Sequence, residues 1–417
     1  MTDWQVALVD EWKRRRSRDP KGAAFPLTEQ NFDADEIVGM AEVVLSGQLT
    51  MGTRVREFER QFAAFVGAPY AVMVNSGSSA NLLALAVAMN PLRSQHLLPG
   101  DEILVPSVCW STSVWPIVQL GLKPVLVDVD PRTLNIDLAS MTMKATPRTK
   151  GLVAVHVLGN CAPIDEVLSL AKERDWIVIE DTCESLGSKW GGQVLGTFGN
   201  FGTYSFYFSH HMTTGEGGMV VCKTLEDYDL LKCLRAHGWA RDLSNRSDLE
   251  AKYAEVDSRF LFVNAGFNLR PMEIQGALGL MQLRKLPTMN DARVANRQAL
   301  VRTLQTHPRW HGQFEFPQSV PLAEPVWFGF PVVFSDSVNV RLKSYLEGLS
   351  LRGVENRPIV SGNFARQPAL DLFNCASDPR QMPGAEKVHR RGFFVGLHTR
   401  RLRPEELGDL ADRLLKF

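Results

Sequence analysis

The sequence carries no excess of either charge: its 46 basic side chains are balanced by 46 acidic ones. It therefore presents no electrostatic footprint for nucleic acid. Cysteine is sparse and scattered. The six, Cys109, Cys161, Cys183, Cys222, Cys233 and Cys375, show no CxxC pair and no clustered ligand spacing. That argues against structural zinc, an iron–sulfur cluster or a disulfide frame, so the six read as reduced thiols and no metal is expected. Long apolar runs are missing too. The run over residues 82–89 is far too short to cross a bilayer, and the N-terminus is charged where a signal peptide would be apolar, so a cytoplasmic protein is expected. Internal repeats and low-complexity tracts are absent. The one basic cluster, Lys13-Arg14-Arg15-Arg16 with Arg18, follows an amphipathic segment (Trp4, Leu8, Val9, Trp12) and reads as a solvated helix face rather than a weak anchor.

What is present is an alternation of short apolar strands and helical intervals. With 417 residues the chain is long enough for two domains. The expected organisation is an N-terminal arm over 1–30, a large domain over 31–286 and a small C-terminal α+β domain over 287–417. Residues 33–66 have helical periodicity, broken by a turn at 47–52. A strand at 70–74 is followed at once by Asn75-Ser-Gly-Ser-Ser-Ala80 and a helical run over 81–89. A strand, a small-residue turn and a helix N-terminus leave free backbone N–H groups and a partial positive charge at one point, which suits an anion; an ordinary N-cap would look the same. Further strands at 103–105, 125–128, 151–157 and 176–179 predict an α/β fold, a mainly parallel sheet with helices on both faces.

Ligands in such folds sit at the carboxyl ends of the strands. Trp110 and Asp181 stand there. Asp181 follows a wholly apolar strand and should call for a cationic partner, although it could instead cap a helix, and Trp110 could fill core. The stretch YSFYFSHHMTTGEGGM, residues 204–219, reads as a buried strand (204–208) delivering a serine and two histidines into a glycine-rich loop. A histidine pair alone is more often a structural pair or an exposed turn than a catalytic site. Beyond it come Arg235-Ala-His-Gly-Trp239, a polar loop over 241–258 expected to be mobile, and Gly266–Pro271 opening a helix over 272–286. The small domain is expected to hold a strand at 327–334, a helix at 338–349 and an extended segment at 355–363.

A phosphate cradle, a flat aromatic ring and a strand-end carboxylate together suit pyridoxal phosphate. The ordered motifs NSGSSAN, PSVCWST, VHVLGN, EDTCES, SHHMTTGEGG, RAHGW and GFNLRPMEIQGALG resemble the DegT/DnrJ/EryC1/StrS family of pyridoxal-phosphate-dependent sugar enzymes along nearly the whole chain. The resemblance implies an aspartate aminotransferase-like fold (fold type I). It also implies that Gly77, Ser78 and Ser205 hold the phosphate, that Trp110 stacks on the ring, that Asp181 pairs with the pyridine nitrogen and that Glu184 neighbours the ring. Asn268 is similar to the asparagine that reaches the phosphate of a neighbouring subunit, which implies a homodimer with shared active sites.

One departure from the family pattern is informative. The aminotransferases of this family carry the cofactor on a lysine six residues before the glutamate of GEGG; here that position is His210. An imidazole cannot hold the cofactor as a stable Schiff base, but near neutral pH it can act as general base and acid. The same change marks the family's sugar 3-dehydratases. The expected reaction removes the C3 hydroxyl of a nucleotide-linked 4-keto-6-deoxyhexose, with GDP-4-keto-6-deoxymannose implied as substrate. L-Glutamate would convert the cofactor to pyridoxamine phosphate, and the products would be a 4-keto-3,6-dideoxy sugar, 2-oxoglutarate and ammonia. His237, Arg357 and His211 are candidates for holding glutamate or sugar. Competing readings are an iron–sulfur-type CDP-sugar dehydrase, whose cysteine cluster is missing from residues 235–260, and a non-catalytic pyridoxal-phosphate-binding regulator. A plain transaminase would need a substitute lysine, and Lys223 lies beyond the loop.

Overall fold

The computed structural model describes residues 1–17, 22–29 and 31–417; Arg18 of the basic cluster lies outside them. The other basic residues of that cluster form the last turn of helix α1 (Asp3–Arg16), where cations complement the helix dipole, and Arg14 and Arg15 pair with Glu11 on the exposed face. Helix α2 (Ala34–Ser46) starts at Asp33, whose side chain accepts from the Asp35 amide, and stops at Gly47 in the left-handed region. Helix α3 (Thr53–Val66) follows. Strand β1 (Tyr70–Val74) leads into α4 (Gly77–Ala88), β2 (Glu102–Pro106) into α5 (Ser111–Gln119), and β3 (Lys123–Val127) into α6 (Leu138–Lys144). Then come β4 (Thr149–Val155), α7 (Ile164–Glu173) and β5 (Ile177–Asp181).

A short hairpin, β6 (Lys189–Trp190) and β7 (Gln193–Val194), precedes β8 (Phe201–Ser205) and β9 (Gly218–Cys222). The seven-stranded sheet has the order β1-β9-β8-β5-β4-β2-β3, and only β9 runs against the others. The mainly parallel α/β sheet is thus present. Alternation places Val72 and Val74 in the core on one face and Ala71 and Met73 in the core on the other. The β8 strand differs from the expected 204–208. It starts three residues earlier and ends at Ser205, its partner register with β9 running from Phe201–Cys222 to Ser205–Gly218. Tyr207 and Phe208, read as buried strand, are exposed.

Two further differences have tertiary causes. The expected mobile loop at 241–258 contains a helix, α9 (Arg246–Lys252), after α8 (Leu225–Arg235). The helix expected to end at 286 is α10 (Glu273–Gln305), 33 residues long and unbroken through Pro287. Its buried face continues past the proline as Met289, Ala292, Arg293, Asn296, Leu300 and Leu304, and Leu300 and Leu304 enter the core of the small antiparallel sheet. That sheet, formed by β10 (Phe314–Glu315), β12 (Gly329–Phe334), β13 (Asn356–Arg357) and β14 (Gly392–Gly396), has the order β10-β12-β14-β13. The intervening β11 (Ala323–Glu324) pairs with β6 of the large domain. Among the described residues no helix is long and apolar enough to cross a membrane.

Candidate active site

The carboxyl ends of β2 and β5 and the start of α4 converge with the end of β8. Ser76 caps α4, its hydroxyl accepting from the Ser79 amide at 3.1 Å. The amides of Gly77 and Ser78, the first two helical residues, have no carbonyl within the helix to donate to. Ser205, 8% exposed at the end of β8, packs directly on Gly77: a Cβ built there would lie 2.5 Å from Ser205 Cβ and 2.8 Å from its Oγ. A Cβ at Gly218 would collide with the Ser76 carbonyl. The pocket is therefore made by glycines and lined by free N–H and hydroxyl donors, as an anionic phosphate requires. The Ser78 hydroxyl, on the exposed rim, lies 3.4 Å from Thr112 Oγ1 and so ties α4 to α5.

Trp110 caps α5 and is 57% exposed, so it does not fill core; its face is available for stacking. Asp181 is buried at the end of β5. Among the described residues no cationic side chain pairs with it. One oxygen, Oδ2, accepts from Asn81 Nδ2 at 2.8 Å and from Ser113 Oγ at 2.7 Å, while Oδ1 accepts from the Cys183 amide at 3.2 Å. Asn81 is itself held by the Thr203 hydroxyl at 2.6 Å. Neutral donors thus fix the carboxylate without neutralising it, which leaves its charge for a protonated ring nitrogen. Asn81 and Ser113 escaped the sequence reading. An asparagine opening an otherwise apolar helical run was the available signal, since a buried amide needs a partner.

His210 is half-buried at the head of the loop after β8. Its Nδ1 lies 2.7 Å from the Cys183 carbonyl, which can only accept, so the neutral ring carries its proton there and its lone pair at Nε2. Burial pushes the imidazole down to about 4; the Cys183 carbonyl and Asp181 pull the other way without offsetting it. His210 is therefore uncharged at neutral pH and basic at Nε2. Glu184 is pushed up to about 7 by burial and, secondarily, by Asp181, although the Leu158 amide donates to its Oε2 at 3.2 Å. Burial raises the thiols of Cys109 and Cys183 well above their ordinary value, so neither is a nucleophile at neutral pH.

His211 corrects an expectation. Rather than facing a substrate it is fully buried, its Nε2 donating to the Val326 carbonyl at 2.9 Å. His237 has a left-handed backbone (φ 63°), and its amide donates to the Phe267 carbonyl at 2.6 Å. The adjacent Ala236 bridges to Asn268, so His237 and Asn268 share one loop cluster, with Asn268 exposed. Arg357 is exposed on β13, where its guanidinium donates to the Asn356 carbonyl at 2.8 Å.

A family model for the DegT/DnrJ/EryC1/StrS aminotransferase family matches residues 30–414. The chain belongs to this family. It is 37% identical over 376 residues to the GDP-4-keto-6-deoxy-D-mannose 3-dehydratase of Yersinia pseudotuberculosis, covering 90% of this chain and 94% of that one. Among solved structures it resembles the E. coli GDP-4-keto-6-deoxy-D-mannose-3-dehydratase with bound hydrated PLP. The TM-score is 0.87 at 37% identity, over 94% of this chain and all of that one. A histidine-to-asparagine variant of a GDP-4-keto-6-deoxymannose-3-dehydratase with bound GDP-perosamine matches with a TM-score of 0.86, again at 37% identity over 94% and 100% of the two chains. The family's aminotransferase fold is the α/β architecture described above.

Proposed function

We propose that the chain is a pyridoxal-phosphate-dependent 3-dehydratase. It removes the C3 hydroxyl of a nucleotide-linked 4-keto-6-deoxyhexose, GDP-4-keto-6-deoxymannose, with L-glutamate as amino donor. The observation that carries this reading is His210: an uncharged imidazole with Nδ1–H anchored on a carbonyl stands where the family's aminotransferases place a lysine. A residue that cannot hold the cofactor covalently but can move protons favours elimination over amino-group delivery.

The residues fit the cofactor, which when bound supplies an electron sink and, in its amine form, the amino group that condenses with a ketone. Gly77 and Ser78 amides and the Ser205 hydroxyl bind its phosphate, Trp110 covers the ring, and Asp181 keeps a proton on the pyridine nitrogen. His210 Nε2 accepts a proton from carbon and, as imidazolium, returns it to the departing C3 oxygen, which leaves as water. Glu184, close to half-ionised near pH 7, buffers charge beside the ring. The overall reaction balances without an external reductant: glutamate is oxidised to 2-oxoglutarate and ammonia as the C3 hydroxyl is replaced by hydrogen. Asn268 and His237 reach the site of a second copy in a homodimer.

The test is release of ammonia and 2-oxoglutarate by the full chain given pyridoxal phosphate, L-glutamate and GDP-4-keto-6-deoxymannose. Both products should accumulate together over many turnovers. His210→Ala should lower ammonia release by at least about a hundredfold, the usual contribution of a positioned general base. Ammonia release at the native rate in that variant would sink the reading.

A further inference from the structure

The loop bearing the two imidazoles is roofed by a three-residue strap, Val326-Trp327-Phe328, whose backbone is held from several elements. His211 Nε2 donates to the Val326 carbonyl at 2.9 Å, and Arg293 Nη1 donates to the carbonyls of Phe328 at 2.6 Å and Trp327 at 3.5 Å. The Val326 amide donates to Ser188 Oγ at 2.9 Å and the Phe328 amide to the Leu158 carbonyl at 2.9 Å. Held in this way, the Phe328 ring stands edge-on to His210, centroids 5.1 Å apart, and lies 5.9 Å from the His211 ring.

Arg293 is the odd member. It projects from the middle of α10, is 2% exposed, donates to carbonyls, and leaves its Nε without a partner among the described residues, with Glu29 as the carboxylate that favours its charge from a distance. A buried guanidinium with no carboxylate hydrogen-bonded to it is destabilising relative to an apolar side chain of similar volume, so its presence here calls for a function. Burial pushes Arg293 down only to about 10, so it stays charged at neutral pH. The groups facing His210 are Asp181 and Cys183 from β5 and its turn, Arg293 from α10, and Tyr207 and His211 from its own loop. Asp181 favours the imidazolium; Arg293 opposes it.

We propose that Arg293 is a positioning residue for the base: it ties down the strap that closes Phe328 over His210, and so keeps water away from the imidazole while adding a fixed positive charge behind it. The proposal rests on His210 being the base. Both effects act in one direction, disfavouring the imidazolium in the resting protein and leaving Nε2 free to accept a proton. His211 gains a role from the same arrangement, as the second clamp on the strap.

The test reads the protonation of His210 rather than turnover. Diethyl pyrocarbonate attacks only uncharged imidazole, so the rate of His210 carbethoxylation, followed by peptide mass spectrometry on the full chain without added cofactor, reports its charge. In the native chain the rate should be flat between pH 5.5 and 7.5. In Arg293→Met, which removes the charge and both carbonyl contacts to the strap, the imidazole should rise from its lowered value, so the rate at pH 5.5 should fall at least about twofold below that at pH 7.5. A flat profile in the folded variant overturns the proposal. Should Arg293→Met fail to fold, Arg293→Lys decides. It keeps the charge but, as a point donor, cannot grip two carbonyls, so the rate at pH 5.5 should drop at least about twofold; a native profile overturns the proposal. Failure of the dehydratase reading would show separately, as ammonia release surviving His210→Ala.

Discussion

At position 77 a hydrogen in place of a methyl group makes room for a phosphate. The helix backbone there would accept alanine without strain, so the requirement for glycine comes from Ser205, whose Cβ and Oγ occupy the space a side chain would need. Gly77→Ala should therefore leave the fold intact while pushing Ser205 out of line. Affinity for pyridoxal phosphate, measured by absorbance titration, should fall at least about tenfold, or about 1.4 kcal/mol. Gly77→Ala combined with Ser205→Gly should recover part of the loss by restoring the space; native affinity in Gly77→Ala alone would remove Ser205 and Gly77 from the cradle. The places of Trp110 and Asp181 at strand ends and of His210 in the loop after β8 were legible in the sequence, and their roles, with that of Ser205, are what the family resemblance implies. Residues that act on those were not legible. Asn81, Ser113 and the Cys183 carbonyl brace Asp181 and His210 through three-dimensional neighbours that no spacing announces. The protein-side donors of Asp181 were missed for the same reason: burial demands hydrogen bonds, and hydroxyl and amide donors supply them while leaving the charge for a cation.

Among the elements, the strands and helix starts that the sequence reading named followed local rules and, β8 apart, lie within a few residues of their places, whereas short or late strands such as β6, β7, β10, β11 and β14 were not named. The large misses came where packing outweighs a local signal. Pro287 reads as a helix stop because it lacks an N–H and crowds the preceding turn, a penalty of about 3 kcal/mol in a helix interior. α10 runs through it nonetheless, because the same helix face that covers Phe58 and Phe62 of α3 also delivers Leu300 and Leu304 to the core under the small antiparallel sheet. Pro287 itself is exposed and contributes little to that burial. Pro287→Ala should restore the missing amide donor to the Leu283 carbonyl. Allowing for the flexibility regained by the unfolded chain, it should stabilise the protein by about 1–2 kcal/mol, read as a higher apparent melting temperature. A lower melting temperature would mean that the two cores require the bend a proline imposes. The aromatic run at 204–208 misled in the other direction. Its apolar character suggested a buried strand to Phe208, whereas pairing with β9 ends at Ser205 and leaves Tyr207 and Phe208 at the surface beside the catalytic loop.

In the whole molecule, the seven-stranded sheet carries the residues proposed to hold the cofactor, the strap over 326–328 lies against the two histidines, and exposed apolar surface remains beside the start of α10. Leu49, Phe260, Phe262 and Met272 are each at least 40% exposed. The Thr50–Met272 bridge and the Glu273 amide on the Leu49 carbonyl bring two of them together. Such surface in a chain of this family suits an isologous interface, in which each copy offers the same patch to the other. If Asn268 serves the site of the second copy, function can be divided between chains. A chain carrying His210→Ala lacks the base in its own site, and a chain carrying Asn268→Ala lacks the phosphate ligand it would lend. In a mixed dimer one site then carries both defects and the other carries neither. Random reassembly of equal amounts makes about half of the dimers mixed, so about a quarter of all sites should be native. Ammonia release at limiting cofactor should accordingly return to about a quarter of the native rate when two inactive variants are dissociated and mixed. If Asn268 acts within its own chain, every site in the mixed dimer has one defect, and no activity returns.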